Sequence, residues 1–135
     1  MKIVVDTNVL IESFVENSTY YKIFSVFQNS EHSLIITNEI WMEYCEIFER
    51  FFSKKTIKRF YGFFQTSPII NIISPNYRFN LISTDPDDNK FVDASICGNA
   101  DFLITSDKHF DVLKLVKFPK VNVISPEKFI NKFLI

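Results

Sequence analysis

Residues 2–11 read KIVVDTNVLI, and the break inside this stretch decides how the fold is read. Ile3, Val4 and Val5 make a continuous apolar, β-branched run, the pattern of a short strand buried on both faces. Asp6 ends that run, and hydrophobicity resumes only at Val9-Leu10-Ile11, after Thr7-Asn8. A carboxylate here has two physical explanations. It can cap a following helix by accepting hydrogen bonds from the first free backbone N–H groups. It can also stand at the carboxyl end of a buried strand in an open α/β sheet, where such folds place their ligands.

Outward from this stretch, apolar strands keep alternating with helical patterns. Thr7 to about Phe14 reads as a short helix. Tyr20, Ile23, Phe24 and Phe27 follow the i, i+3, i+4, i+7 spacing of a second one, closed by Asn29-Ser30. Leu34-Ile35-Ile36 is a second buried strand ending at Thr37. From Asn38 a longer helix is expected with Trp41, Tyr44, Cys45, Phe48, Phe51 and Phe52 on one side. Glu39, Glu43 and Glu46 share its other face, since residues three and four apart are neighbours on a helix. Ser53 interrupts, and Lys55 to Gln65 resumes a helix. Ile69–Ile73 is a third strand, with a loop around Pro75-Asn76. Asp85 as cap and Pro86 in the first helical position start a helix that Gly98-Asn99 ends. Phe102-Leu103-Ile104 is a fourth strand closing on Thr105-Ser106-Asp107. A short helical or irregular stretch, a fifth strand at Val121–Ile124 and a helix from Pro126 to Phe133 complete the order. Such alternation implies parallel βαβ units with helices on both faces of the sheet, hence an α/β fold, expected as a single domain over residues 1–135.

Composition narrows the function classes. Of 135 residues, 47% are hydrophobic and 23% charged, which is globular composition. No apolar stretch approaches the roughly 20 residues of a membrane span. No charged, apolar and small-residue leader pattern opens the chain, so no membrane association and a cytoplasmic location are expected. Two glycines, Gly62 and Gly98, are too few for a glycine-rich phosphate loop. Cys45 and Cys97 stand apart in apolar surroundings and are expected to pack in the core. The net charge of −1 gives no overall attraction to nucleic acid. The segment 50–59 nevertheless holds Arg50, Lys54, Lys55, Lys58 and Arg59 and no acid, as either a solvated helix face or a phosphate-contacting strip.

The acids carry the chemistry. In parallel topology the carboxyl ends of all strands open on one edge, so Asp6 and Asp107 would meet there, and helices starting at that edge could add Asp88 and Glu43. Several ionised carboxylates in one place repel, so they raise one another's pKa or hold a cation. An oxygen-only ligand set suits Mg²⁺ or Mn²⁺, and the chemistry that follows is hydrolysis of a phosphodiester by metal-activated water. Singly, Asp88 could merely complement a helix N-terminus, and Glu43 could be one more exposed charge.

Four segments taken together go further: VVDTNVLI (4–11), TNEIWMEYCEI (37–47), DPDDNKFVDASICGNADFLITSDKHF (85–110) and VNVISPEKFINKF (121–133). In this order and spacing they resemble the successive motifs of PIN domains, most nearly the branch related to VapC-like ribonucleases of toxin–antitoxin systems. The resemblance implies a three-layer α/β/α sandwich around a mostly parallel sheet of four to five strands. It implies an Mg²⁺ or Mn²⁺ site of three or four acids, endonucleolytic cleavage of RNA, a cognate antitoxin and a homodimer. Asp6 matches the family's first acid and Asn8 the polar residue that steadies it. Glu43 matches the helix acid six residues after Thr37, Asp88 the acid of the D-P-x-D motif, and Asp107 the last acid, with Thr105 or Ser106 as supporting donors. Asp85 then reads as a cap rather than a ligand, and Asp93 as a spare acid. The basic run Arg50, Lys54, Lys55, Lys58 and Arg59 is the candidate RNA contact. Other readings remain open: a housekeeping RNA-processing nuclease, or a non-catalytic PIN domain that binds RNA or protein. A haloacid-dehalogenase-type phosphatase needs a second Asp two residues after the first, where this chain has Asn8. His32 and His109 read as surface imidazoles.

Overall fold

A computed structural model describes residues 1–28 and 31–134. Asn29-Ser30, the expected end of the second helix, lie outside the described residues. Among the described residues five short strands form one sheet: β1 (Lys2–Val5), β2 (Ser33–Ile36), β3 (Ile70–Ile72), β4 (Phe102–Ile104) and β5 (Val123–Ile124). Their order is β3-β2-β1-β4-β5, and every neighbouring pair is parallel. The chain therefore first builds outward from β1 to β3, then crosses back and builds the other way from β4. The reversal falls between β1 and β4, whose register sets Val5 opposite Ile104.

Among the described residues six α-helices accompany the strands: α1 (Thr7–Ser13), α2 (Tyr21–Val26), α3 (Asn38–Phe51), α4 (Lys54–Thr66), α5 (Asn89–Cys97) and, after the last strand, α6 (Pro126–Phe133). Two 3₁₀ segments, Pro86–Asp88 and Lys108–Leu115, precede α5 and β5. Right-handed crossovers put connections running in opposite directions on opposite faces of a sheet. Accordingly α1 packs on α2 and α3, and α3 on α4, while α5 lies across β1, β2 and β4 on the far side. The result is the expected α/β/α sandwich, its sheet wholly parallel and five strands wide.

Local chemistry explains where the helices begin. Thr37, Ser53 and Ser125 each accept a hydrogen bond from the backbone N–H three residues on, at 3.2, 3.3 and 3.2 Å, capping α3, α4 and α6. Gly98 ends α5 against the sheet, where a Cβ would stand 2.9 Å from Ile35 Cδ1. Ile3, Val4 and Val5 are completely buried, as an all-apolar central strand must be.

The heavy use of phenylalanine is accounted for on the face covered by α1 to α4. Phe14, Phe24, Phe48, Phe60, Phe63 and Phe64 form a contiguous aromatic cluster joined by Trp41. At its centre the rings of Phe48 and Phe60 stack with centroids 3.8 Å apart. Phe64 lies against Trp41 near the start of α3 and Phe60 against Phe48 further along, so α4 runs antiparallel to α3.

Three sequence expectations need correction. Phe51 is exposed, and Ile40 takes its place on the buried side of α3, because the last turn of α3 extends beyond its cover. Cys97 is exposed and Cys45 only half-buried, since Phe91, Val92 and Ala94 form the inner face of α5. The last strand shrinks to Val123–Ile124. Among the described residues, no helix is long and apolar enough to cross a membrane.

Candidate metal site at the carboxyl edge of the sheet

Asp6 serves both roles that its position allows. Its Oδ1 accepts the Thr7 backbone N–H at 2.7 Å and caps α1, while its Oδ2 accepts the Thr105 hydroxyl at 2.8 Å from just beyond β4. The Asp6 N–H donates to the Ile104 carbonyl at 3.0 Å, and the Tyr44 hydroxyl donates to the carbonyl of Val5. The turn is thus held from β4 on one side and α3 on the other. Burial pushes the Asp6 carboxyl above its ordinary pKa. The Thr105 and Thr7 hydrogen bonds oppose this, and the nearby charges of Glu43 and Asp107 add to it.

Asp107 begins the 3₁₀ segment after β4. Its N–H donates to Thr105 Oγ1 at 3.0 Å, and its Oδ1 accepts the His109 N–H at 2.9 Å. One threonine hydroxyl therefore ties Asp6 and Asp107 together. Asp88, in the 3₁₀ turn before α5, completes this side. Burial raises its carboxyl to about 6, with Asp85, Asp107 and Asp6 adding to the rise and His109 opposing it. Asp88 Oδ2 is buried and accepts no well-formed hydrogen bond. The nearest cation-capable atom, His109 Nδ1, is 3.4 Å away, too far for a strong bond and charged only when protonated.

Glu43 reaches the same edge from the second turn of α3, but it arrives already engaged. Its Oε2 accepts the Thr7 hydroxyl, and its Oε1 lies 2.8 Å from the Lys90 ammonium. Lys90 sits at the start of α5 and also donates to the Asp87 carbonyl at 2.8 Å.

Thus the fold assembles Asp6, Glu43, Asp88 and Asp107 at one edge, but not as four equivalent ligands. Among the described residues, the set of three or more acid, His or Cys groups whose ligand atoms all lie within 4.8 Å is Asp85, Asp88 and His109. Asp85 does cap, accepting the Asp87 N–H at 3.2 Å. It also faces His109 Nδ1 at 4.0 Å, and that dual position is not apparent from its place in D-P-D-D. Thr105 is the supporting donor; Ser106 and Asn8 are exposed, with no hydrogen bond to the acids among the described residues. The Thr7 backbone and Thr105 do for Asp6 what was expected of Asn8. Asp93 points elsewhere, accepting the Phe79 N–H at 3.1 Å. Sequence reasoning missed Lys90 and discounted His109. The available signals were their spacings, two residues after Asp88 and two after Asp107.

The basic run is not part of this cluster. Arg50 pairs with Glu46 at 2.8 Å, and Arg59 with Glu16 at 3.2 Å and the Phe14 carbonyl at 2.8 Å. Lys54, Lys55 and Lys58 stand on the first turns of α4, level with the far end of α3. From Glu43 to Arg50 alone the helix rises about 10 Å.

The donor set fits a divalent cation. Oxygen ligands dominate, burial and mutual repulsion hold two carboxyls above their normal range, and the buried Asp88 Oδ2 accepts no hydrogen bond. The edge is also the reversal point of the strand order, the usual binding crevice of open α/β sheets.

Comparison with known proteins agrees with this architecture. The family model for the PIN domain matches residues 2–109. No curated protein matches the sequence. Among solved structures, VapBC2 from Rickettsia felis bound to a DNA fragment from their promoter is similar with a TM-score of 0.63 at 15% identity, over 93% of this chain and 98% of that one. The PIN domain of T. brucei RRP44 is similar with a TM-score of 0.50 at 10% identity, over 98% of this chain and 80% of that one. At these identities the likeness is one of fold.

Proposed function

We propose that this chain, which belongs to the PIN domain family, is an Mg²⁺- or Mn²⁺-dependent endoribonuclease and the toxin of a type II toxin–antitoxin pair. The observation that carries the reading is the buried Oδ2 of Asp88, which accepts no hydrogen bond and faces His109 Nδ1 at 3.4 Å, among the carboxylates of Asp6 and Asp107 at the strand reversal. A divalent ion bound there would activate water and offset charge on the attacked phosphate and the leaving oxygen. The residues of the chain prepare that chemistry. Thr105 fixes the spacing of Asp6 and Asp107, Asp88 presents a bare oxygen, and Thr7 steers Glu43 while its N–H holds Asp6. His109 and Asp85 flank Asp88, the imidazole Nδ1 lying 3.4 Å from Asp88 Oδ2 and 4.0 Å from Asp85 Oδ2.

The purified protein should cut single-stranded RNA with Mg²⁺ or Mn²⁺, leave 5′-phosphate and 3′-hydroxyl ends, and stop in EDTA. Equal cleavage in EDTA would overturn the mechanism. The toxin assignment and an antitoxin partner rest on the motif resemblance and on the fold shared with the Rickettsia felis VapBC2 complex. Growth arrest on expression, relieved by a small DNA-binding protein encoded next to this chain, is the outcome expected; harmless expression of an active nuclease would favour RNA processing instead.

A further inference from the structure

Lys90 is held as a component of the acid cluster rather than as a surface charge. Its side chain is 11% exposed, less than the 30% of the Glu43 side chain it meets. The ammonium has two fixed partners, Glu43 Oε1 and the Asp87 carbonyl, both at 2.8 Å. The second Glu43 oxygen accepts the Thr7 hydroxyl. Both oxygens of Glu43 are therefore taken by the chain itself, whereas Asp88 Oδ2 accepts no hydrogen bond and has only His109 Nδ1 at 3.4 Å. A cation entering the cluster meets an open Asp88 and a Glu43 already neutralised. Displacing Lys90 would strand a shielded ammonium without its carboxylate, an expensive change in a low-dielectric setting.

We propose that Lys90 takes the place of a second divalent cation: it neutralises Glu43, keeps that carboxylate out of the ion's ligand shell, and limits the cluster to one divalent ion. This inference rests on the reading of the cluster as a metal site and adds to it the number of ions and the role of Glu43. It makes the two residues of the pair unequal to the other acids. Removing Glu43 alone subtracts a carboxylate that the ion does not use, while removing Lys90 releases one that it can.

The test is titration of the metal-free full chain with Mn²⁺ alone, read by calorimetry and by the paramagnetic resonance signal of free Mn²⁺, neither of which needs RNA or turnover. The unaltered chain should bind one ion. Lys90→Met, which keeps the apolar stem but not the charge, should bind Mn²⁺ about tenfold more tightly or take a second ion, because a unit positive charge has left the ion's neighbourhood. Lys90→Arg should behave as the unaltered chain. Glu43→Gln, which leaves the Lys90 charge unpaired, should weaken the first ion by no more than about tenfold, and combining it with Lys90→Met should bring the affinity back to that of the unaltered chain. Two ions in the unaltered chain, or unchanged affinity and stoichiometry in a folded Lys90→Met protein, would overturn the proposal. If Lys90→Met does not fold, a loss of affinity of about a hundredfold or more in Glu43→Gln, beyond what one unpaired charge explains, would overturn it instead. No Mn²⁺ binding by the unaltered chain would remove the metal-site reading itself, a different failure from the loss of the Lys90 effect alone.

Discussion

The two ends of α3 sit in opposite surroundings. Its early turns carry Glu43 and Tyr44 to the sheet edge, where carboxylates crowd one another and Asp88 Oδ2 accepts no hydrogen bond. Its later turns carry Phe48 into rings that stack within 3.8 Å and leave no polar atom to satisfy. One end is assembled from groups that raise the energy of the folded chain, the other from groups that lower it. The difference shows a division of labour along a single helix: aromatic packing holds the frame rigid enough for an otherwise repulsive edge to persist.

The sharpest way to break this comparison is at its apolar end. Phe60→Ala removes a completely buried ring from the centre of the cluster and should cost about 3–5 kcal/mol in denaturant unfolding. Molecules that remain folded should bind Mn²⁺ as before. Affinity falling in step with stability would show that the two ends are not separable.

At the acid end the signs should reverse. Asp6→Asn keeps the size of the side chain and removes its charge, so RNA cleavage should fall by about 10²-fold or more. The melting temperature in EDTA should hold or rise as repulsion is relieved. A sharp drop would make Asp6 chiefly the cap of α1.

A pH series sharpens the same contrast. Asp88 is raised from 3.8 to about 6, and Asp6 is raised as well. A carboxyl with a higher pKa folded than unfolded binds more protons in the folded state, so its contribution to stability falls as pH climbs from about 4 to about 6 and is level above. In EDTA the melting temperature should therefore rise by a few degrees between about pH 7.5 and about pH 5. Saturating Mn²⁺ should flatten the rise near neutrality, and Asp88→Asn should reduce it; the same slope in that variant would assign the effect to other groups.

The smallest effect is expected from the exposed lysines beyond both regions. Changing Lys54, Lys55 and Lys58 to Gln on an Asp6→Asn background should weaken RNA binding for all sequences and lower the salt slope by about two. Stability should barely move. An unchanged slope would make this run an ordinary solvated face.

Much of the frame was legible in the chain. The run Ile3-Val4-Val5 announced a doubly covered strand, and Asp85 before Pro86 marked a helical start that its side chain does cap. Periodicity located the buried side of α3 but not the extent of its cover, so Phe51 was assigned to the core and is exposed. The acids of the site could be read because strand ends in a parallel sheet share an edge. Their partners could not. Whether Asn8 or Thr105 steadies Asp6, and whether Lys90 turns toward Glu43 or toward water, depends on loop paths and on contacts between residues far apart in sequence.

The hydrogen bond from Thr105 to Asp6 spans 99 positions of the chain. Every residue between them must be synthesised before it can form, and β1 lacks its neighbour β4 until then. Loop closure over such a distance is an entropic barrier that local structure cannot lower. A ribosome making this protein therefore carries an acid edge that stays incomplete until β4 and Asp107 have emerged, so the carboxylates gather only late in synthesis.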